Sequence, residues 1–382
     1  MATKLGLNLS GISYFYLKQH HDGDEELIFR RRPNQLIDIP EFTPSHYSPL
    51  FGVEVEKLSF LGQYNQEGFK VDDNADKFKD IVVLGDSMME ISARNENTFA
   101  GLLETMTGLT TANYGMSGFG PHQYLETMKR YGLKRKPKFI VFSFFEGNDL
   151  WDIQEYKRWK EGTGDYYGYG LLLEPKWKQY LSVMTDIYHI ILKHTDNLNE
   201  KIRSLFDPEF KQKLTERKNE EEKGILSHLI VLNLPGRVYP DRFFYESDPR
   251  RFYQILDSGE GKIFEEILSE FRDICLKEGI VPIVMFVPMK VHVYGAFATN
   301  ESGSWWNENR LSQMNARDNV EKAVQALCEK LGLGLISLTQ PFQQAAREGQ
   351  VLFYPFDDHW NSEGRGLAAR IVRDYLQSIE TG

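Results

Sequence analysis

The stretch DIVVLGDSMME, residues 80–90, constrains this chain more than any other. Ile81 to Leu84 form a short apolar run without polar alternation. Such a run reads as a strand buried on both faces, the habit of a parallel sheet. It ends on Gly85-Asp86-Ser87 and passes at once into a helix-like stretch. A parallel sheet needs crossover connections, so a strand that turns directly into a helix implies further strands and helices in alternation. Gly-Asp-Ser alone is ordinary turn chemistry. Whether Ser87 is more than a turn residue depends on what else the chain brings to the same edge.

The alternation continues on both sides of a long interruption. TFAGLLETM (98–106) sets Phe99, Leu102, Leu103 and Met106 on one helical face, and TTANYG (110–115) is a second short strand. PHQYLETMKRYGLKRKP (121–137) reads as an amphipathic helix closed by Pro137, and KFIVFSFF (138–145) as a third buried strand. After about residue 260 come KIFEEILSEFRDICLKEG as helix, IVPIVMFVP as strand, NVEKAVQALCEKLG as helix, LGLISL as strand and SEGRGLAARIVRDYLQSI as the last helix. The pattern predicts an α/β fold, a three-layer sandwich around a mostly parallel central sheet. Residues 1–75, punctuated by Pro33, Pro40, Pro44 and Pro49, read as an irregular N-terminal extension with a few strands. Residues 76–382 read as the α/β domain, with an insertion at about 151–260. Within the insertion, YLSVMTDIYHIILKH reads as an apolar helix and EFKQKLTERKNEEEK as a solvated charged face or loop.

Charge narrows the partners. The formal net charge of -10 disfavours nucleic acid, which needs a basic surface, and equally an anionic membrane surface. No stretch reads as a transmembrane helix or signal peptide, which leaves a cytoplasmic location as the default expectation. Cys275 and Cys328 stand outside any CxxC and read as small buried residues of apolar helices. No histidine pair has metal spacing, so neither a metal nor another cofactor is implied.

The chemistry gathers at strand ends, where ligands bind in open α/β sheets. A serine hydroxyl needs a base, the base needs an orienting group, and the oxyanion needs hydrogen-bond donors. Ser87 follows the first strand. The second strand ends in NYGMSGFG, whose glycines bring backbone N–H groups close to a ligand. The third ends in FFEGND, with Asn148 as a side-chain donor, and YPFDDHWNSEG places Asp357, Asp358 and His359 just before the last helix. Plain structural roles suit the neighbours. Asp86 and Asp149 read as loop hydrogen-bonders, Ser117 and Gly120 as loop formers, Trp360 as packing, Asn361 or Ser362 as a helix cap, and His122 and Lys290 as surface. His292, after a strand end, is ambiguous.

These blocks, in the order Gly-Asp-Ser, Gly, Gly-Asn-Asp and a C-terminal Asp-His, resemble the SGNH (GDSL-type) hydrolase superfamily. The resemblance covers residues 79–149 and about the last hundred. It implies that Ser87 is the nucleophile, that the N–H groups of Ser87 and Gly118 and the Asn148 amide form the oxyanion hole, and that His359 and Asp357 complete a triad. It implies a serine esterase or acylhydrolase acting on a small-molecule or glycan ester. An O-acyltransferase and a binding module that has lost turnover are the alternatives. The chain also departs from the common pattern. Two residues usually separate Asp and His, and Phe356 holds that position. Asp-Asp-His-Trp instead resembles the Asp-x-His-Trp signature of the alginate O-acetyltransferase-like branch, as VPMKVHVYG resembles its Pro-x-Lys-x-x-x-Tyr element. Acetyltransferases of that branch carry their serine after the Asp-His block, whereas Ser87 precedes it. Between Asp357 and Asp358, an extended backbone would put Asp357 on the face of His359.

Overall fold

The computed structural model describes residues 18–42, 58–71, 78–90, 94–179, 229–243, 257–299 and 305–381, with isolated positions between 180 and 228. Apart from single positions, the apolar helix expected at 180–194 and the charged run at 209–223 lie outside the described residues.

Five strands make the central sheet: β5 (Ile81–Gly85), β6 (Thr111–Gly115), β7 (Phe139–Phe145), β10 (Val281–Val287) and β12 (Gly334–Ser337). They lie in the order β12-β10-β7-β5-β6, and every pairing is parallel. Counted along the chain within this sheet, the order is 2-1-3-4-5, and the direction of winding reverses between β5 and β7. The carboxyl ends of the strands flanking such a switch point frame a crevice. Those ends lead into Ser87 and Asn148.

Alternate residues of β5 feed two separate cores. Val82 and Leu84 join one cluster, and Ile81 and Val83 the other. The first is covered by α3 (Pro121–Arg130), α4 (Asp149–Lys160), α5 (Gly259–Lys277) and α7 (Trp305–Leu331). The second is covered by α2 (Phe99–Thr107), α8 (Thr339–Arg347) and α9 (Ser362–Thr381). This is the three-layer sandwich that the alternation implied. Both cysteines are free and buried, Cys275 on α5 and Cys328 on α7. Among the described residues no helix is long and apolar enough to cross a membrane.

The N-terminal residues form two antiparallel strand pairs, β1 (His21–Asp24) with β2 (Ile28–Arg31) and β3 (Leu36–Phe42) with β4 (Leu58–Gln63). Several other elements differ from the sequence reading. The helix expected to run to Pro137 ends at Arg130 and continues as a 3₁₀ turn over Gly132–Arg135. The Arg135 guanidinium turns inward to the Tyr114 hydroxyl at 2.7 Å and to Glu67 at 2.8 Å, and those bonds set the tighter turn. Where the pattern seemed to pause, α4 continues through Lys160; two of its buried positions are Asp149 and Asp152, which hides its apolar stripe. Helix α7 starts at Trp305 rather than near Asn319, and its N-terminal half buries Gln313 and Arg317. The insertion adds β8 (Leu229–Leu234) and β9 (Arg237–Arg242), which form a small sheet with β11 (Ala298–Thr299).

Candidate active site

The short helix α1 (Ser87–Glu90) follows β5 directly, and a close approach makes this possible. A Cβ at Gly85 would fall 2.4 Å from Met89 Cγ, so only glycine lets the helix fold down onto the strand end. The Asp86 carboxylate accepts the Met88 N–H at 2.9 Å, holding the turn. Its plain structural role is thus seen. Burial pushes the Asp86 carboxyl up to about 6, against the pull of the Met88 N–H, His359 and Asn148. Met88 and Met89 are fully buried, whereas Ser87 between the strand and these residues stays half-buried.

Ser87 Oγ lies 2.8 Å from His359 Nε2, and His359 Nδ1 lies 2.6 Å from Asp357 Oδ1. A carboxylate can only accept, so Nδ1 carries the proton and neutral Nε2 is free to accept from the serine hydroxyl. Burial opposes charge on His359, but the Asp357 hydrogen bond and the fields of Asp357, Asp86 and Asp358 outweigh it, so its pKa is raised above 6.5. Burial also works against an ionised Asp357, yet the hydrogen bond and charge of His359 hold its carboxyl below the ordinary range. The two shifts describe one coupled pair.

The local geometry of Asp357 is not the extended pleat considered from the sequence. Residues 355–359 form turns and bends, with Phe356 at a φ of 59°. Asp357 Oδ1 also accepts the backbone N–H of His359 at 2.7 Å. This side-chain turn, rather than a shared strand face, brings the carboxylate to the imidazole. Asp358 is directed elsewhere. Burial pushes it up to about 7, Lys290 pulls it down, and Asp357 and Asp241 raise it.

Gly118 has a φ of 84°, a left-handed turn that glycine adopts without strain. Its carbonyl accepts from the Tyr166 hydroxyl at 2.9 Å. Phe119 N–H closes the turn on Met116 O at 3.0 Å. Among the described residues neither Ser87 N–H nor Gly118 N–H has a protein acceptor. Asn148 precedes α4, is half-buried, and has its Oδ1 without a partner among the described residues. At this edge of the sheet Ser87, Ser117, Gly118, Gly147, Asn148 and Asp357 to His359 keep some exposure while their neighbours are buried.

The remaining sequence readings sort clearly. Asp149 accepts Phe145 N–H and the Tyr124 hydroxyl, a structural role. Asn361 caps α9 through Glu363 N–H and Gly364 N–H. Trp360 is fully buried and donates to Met88 O at 2.9 Å, so the residue after His359 ties its own loop to the one that follows Ser87. His122 is not free surface: its ring stacks on Tyr156 with centroids 4.4 Å apart, and burial pushes its pKa down to about 4.

Lys290 corrects the expectation of a solvated side chain. It opens the short helix α6 (Lys290–Tyr294) and is fully buried, with Nζ 2.8 Å from Asp241 Oδ1 and 2.7 Å from Tyr354 O. Asp241 Oδ1 in turn accepts Phe356 N–H at 2.6 Å. The pair therefore braces the loop carrying Asp357 and His359. His292, the ambiguous one, is buried between Glu146 at 3.1 Å and Asp318 at 3.2 Å. Those carboxylates outweigh its burial and raise its pKa to about 10. Glu146 also accepts Met289 N–H at 2.8 Å, which fixes the start of the loop bearing Gly147 and Asn148. Among the described residues no group of His, Cys, Asp and Glu could hold a metal ion.

Residues 262–381 match the family model described as "SGNH hydrolase-like domain, acetyltransferase AlgX". The match includes Asp357 and His359 and excludes Ser87. No curated protein sequence matches the chain. Solved structures with a faint likeness include an acetyl xylan esterase, 12% identical, covering 78% of this chain and 98% of that one, with a TM-score of 0.37. A lipase/acylhydrolase from Enterococcus faecalis is 12% identical, covering 79% and 96%, with a TM-score of 0.36. A GDSL-like lipase from Bacteroides thetaiotaomicron is 9% identical, covering 81% and 91%, also with a TM-score of 0.36. Residues 262–381 are thus similar to an SGNH hydrolase-like domain of the AlgX acetyltransferase kind.

Proposed function

We propose that this protein is a serine esterase or acylhydrolase that cleaves an acyl ester through an acyl-enzyme, with Ser87, His359 and Asp357 as its catalytic residues. The observation that carries the reading is the unbroken contact chain from Ser87 Oγ through both His359 nitrogens to Asp357. His359 Nε2 takes the hydroxyl proton as Ser87 Oγ bonds to the ester carbonyl carbon. The oxyanion is stabilised by Ser87 N–H, Gly118 N–H and the Asn148 amide. Collapse breaks the bond to the alcohol, which leaves with the proton from His359. Water then gives a proton to His359 Nε2 as it adds to the acyl carbon, the bond to Ser87 Oγ breaks, and Oγ takes that proton back as the acid is freed. A sugar hydroxyl in place of water would make the protein an O-acyltransferase. That second reading is favoured by the family description matched over residues 262–381, and it points to acetyl as the acyl group.

The test is turnover of p-nitrophenyl esters of increasing acyl length, with and without a glycan acceptor. The expected result is ester hydrolysis, fastest for short acyl groups. Ser87→Ala should lower kcat by roughly three or more decades with the fold retained. A transferase would instead move the acyl group to the glycan in preference to water. Undiminished turnover in purified Ser87→Ala would overturn the reading.

A further inference from the structure

Glu90 closes the helix that begins with Ser87, yet the residue is 1% exposed. Glu90 gathers contacts from four residues, three to its carboxylate and one to its backbone carbonyl. Arg31 Nε lies 3.0 Å from Oε1, and Arg31 Nη2 lies 3.4 Å from Oε2. The Tyr64 hydroxyl donates to Oε1 at 2.5 Å. Lys70 Nζ donates to the Glu90 carbonyl at 2.8 Å. The fourth contact reaches the site: Ser117 N–H donates to Oε2 at 2.7 Å.

Three consecutive peptide groups run through Ser117 and Gly118. Glu90 holds the first by its N–H. Tyr166 holds the third by the Gly118 carbonyl. Between them lies the peptide whose N–H belongs to Gly118 and has no acceptor among the described residues. With both flanking planes pinned, the middle N–H has a fixed direction before any substrate arrives, as a pre-organised oxyanion donor requires. The same carboxylate sits three residues after the nucleophile, so it fixes the spacing between the two proposed donors. Arg31, Tyr64 and Lys70 all come from the N-terminal strand pairs and the segment after them.

We propose that Glu90, held by Arg31 and Tyr64, is a positioning residue for the oxyanion hole, so that the N-terminal extension builds part of the active site. This rests on the serine-esterase reading. Glu90→Gln keeps the shape of the side chain and removes its charge, which weakens the Arg31 pair and the hold on Ser117 N–H. Tyr64→Phe removes one hydrogen bond and keeps every charge, and serves if Glu90→Gln does not fold.

The experiment reads ester kinetics and, independently of activity, hydrogen–deuterium exchange by mass spectrometry of the whole protein. The expected result for Glu90→Gln is a fall in kcat on the order of ten- to a hundredfold with KM within about twofold, since the donor acts on developing charge. Exchange should quicken in the peptide spanning Ser117 and Gly118 while that of β7 stays as in wild type. Tyr64→Phe should move both readouts the same way by a smaller factor. Unchanged kcat would overturn the proposal, as would loosening spread evenly over the sheet, which marks a purely structural role. If wild type turned over no ester, the esterase reading would fall. The exchange contrast at Ser117 would then decide by itself whether Glu90 holds the loop.

Discussion

Asp357 and Asp358 stand side by side and differ in what they reach. Asp357 Oδ1 takes both the imidazole Nδ1 and the backbone N–H of His359, whereas Asp358 Oδ1 is buried without a hydrogen-bond partner among the described residues. An orienting aspartate that becomes an amide selects the wrong imidazole tautomer, at a cost on the order of 10⁴ in kcat. Asp357→Asn is expected to show that loss and Asp358→Asn to change kcat by less than about tenfold, both measured on one ester at saturation. A crippled Asp358→Asn with a healthy Asp357→Asn would exchange their roles. The proposed base supplies a second expectation. His359 must be neutral to accept the serine proton, and its pKa lies above the ordinary 6.5. Activity should therefore be full on the alkaline side and fall as pH drops through a midpoint above that of a free imidazole. Asp86 near 6 and Asp358 near 7 titrate in the same region, so the midpoint belongs to the cluster. A kcat/KM flat from about pH 5 to 8 would remove His359 as the base.

At the scale of elements, what was legible depended on whether a residue's partner was near in sequence. The strand ends at Gly85, Gly115 and Phe145 could be read because buried parallel strands are continuous apolar runs. Ser87, Gly118 and Asn148 each follow such an end, and His359 stands in the loop just before the last helix, so their convergence needed only the alternation of elements. The braces could not be read in this way. Arg31 meets Glu90 across 59 residues, and Lys290 meets Asp241 across 49; nothing local marks either pair. Lys290 looked solvated because lysine ordinarily is. Helix α4 was hidden because aspartates occupy positions of its buried face, and α8 because Thr339–Arg347 is short and glutamine-rich. The Lys290–Asp241 pair gives a stability expectation. Removing one partner leaves a buried charge alone, at about 3–5 kcal/mol. Lys290→Met should cost that much in denaturant unfolding, and Lys290→Met with Asp241→Leu should recover part of it. A single variant as stable as wild type would mean the pair does not brace the loop.

Over the whole molecule, the N-terminal extension and the α/β layers share one interior. Leu27, Ile28, Phe29 and Phe69 are fully buried in the same cluster as Val82, Leu84 and Phe142, with Phe29 stacked on Tyr169 at 3.6 Å. Each fully buried side chain of this kind contributes about 1.5–3 kcal/mol, comparable in sum with the whole stability of a typical domain. The division of the chain near residue 75 is thus a change in sequence pattern, and a chain starting at residue 76 is expected to be insoluble or unfolded by circular dichroism. A soluble, cooperatively unfolding fragment would contradict this. The central claim, that Ser87 is an activated nucleophile in this whole assembly, is tested most directly by covalent trapping. Intact-mass spectrometry after incubation with a fluorophosphonate, followed by peptide mapping, should find one adduct, on Ser87, and its formation should slow by orders of magnitude in His359→Ala. No adduct, or an adduct on another serine, would contradict the account.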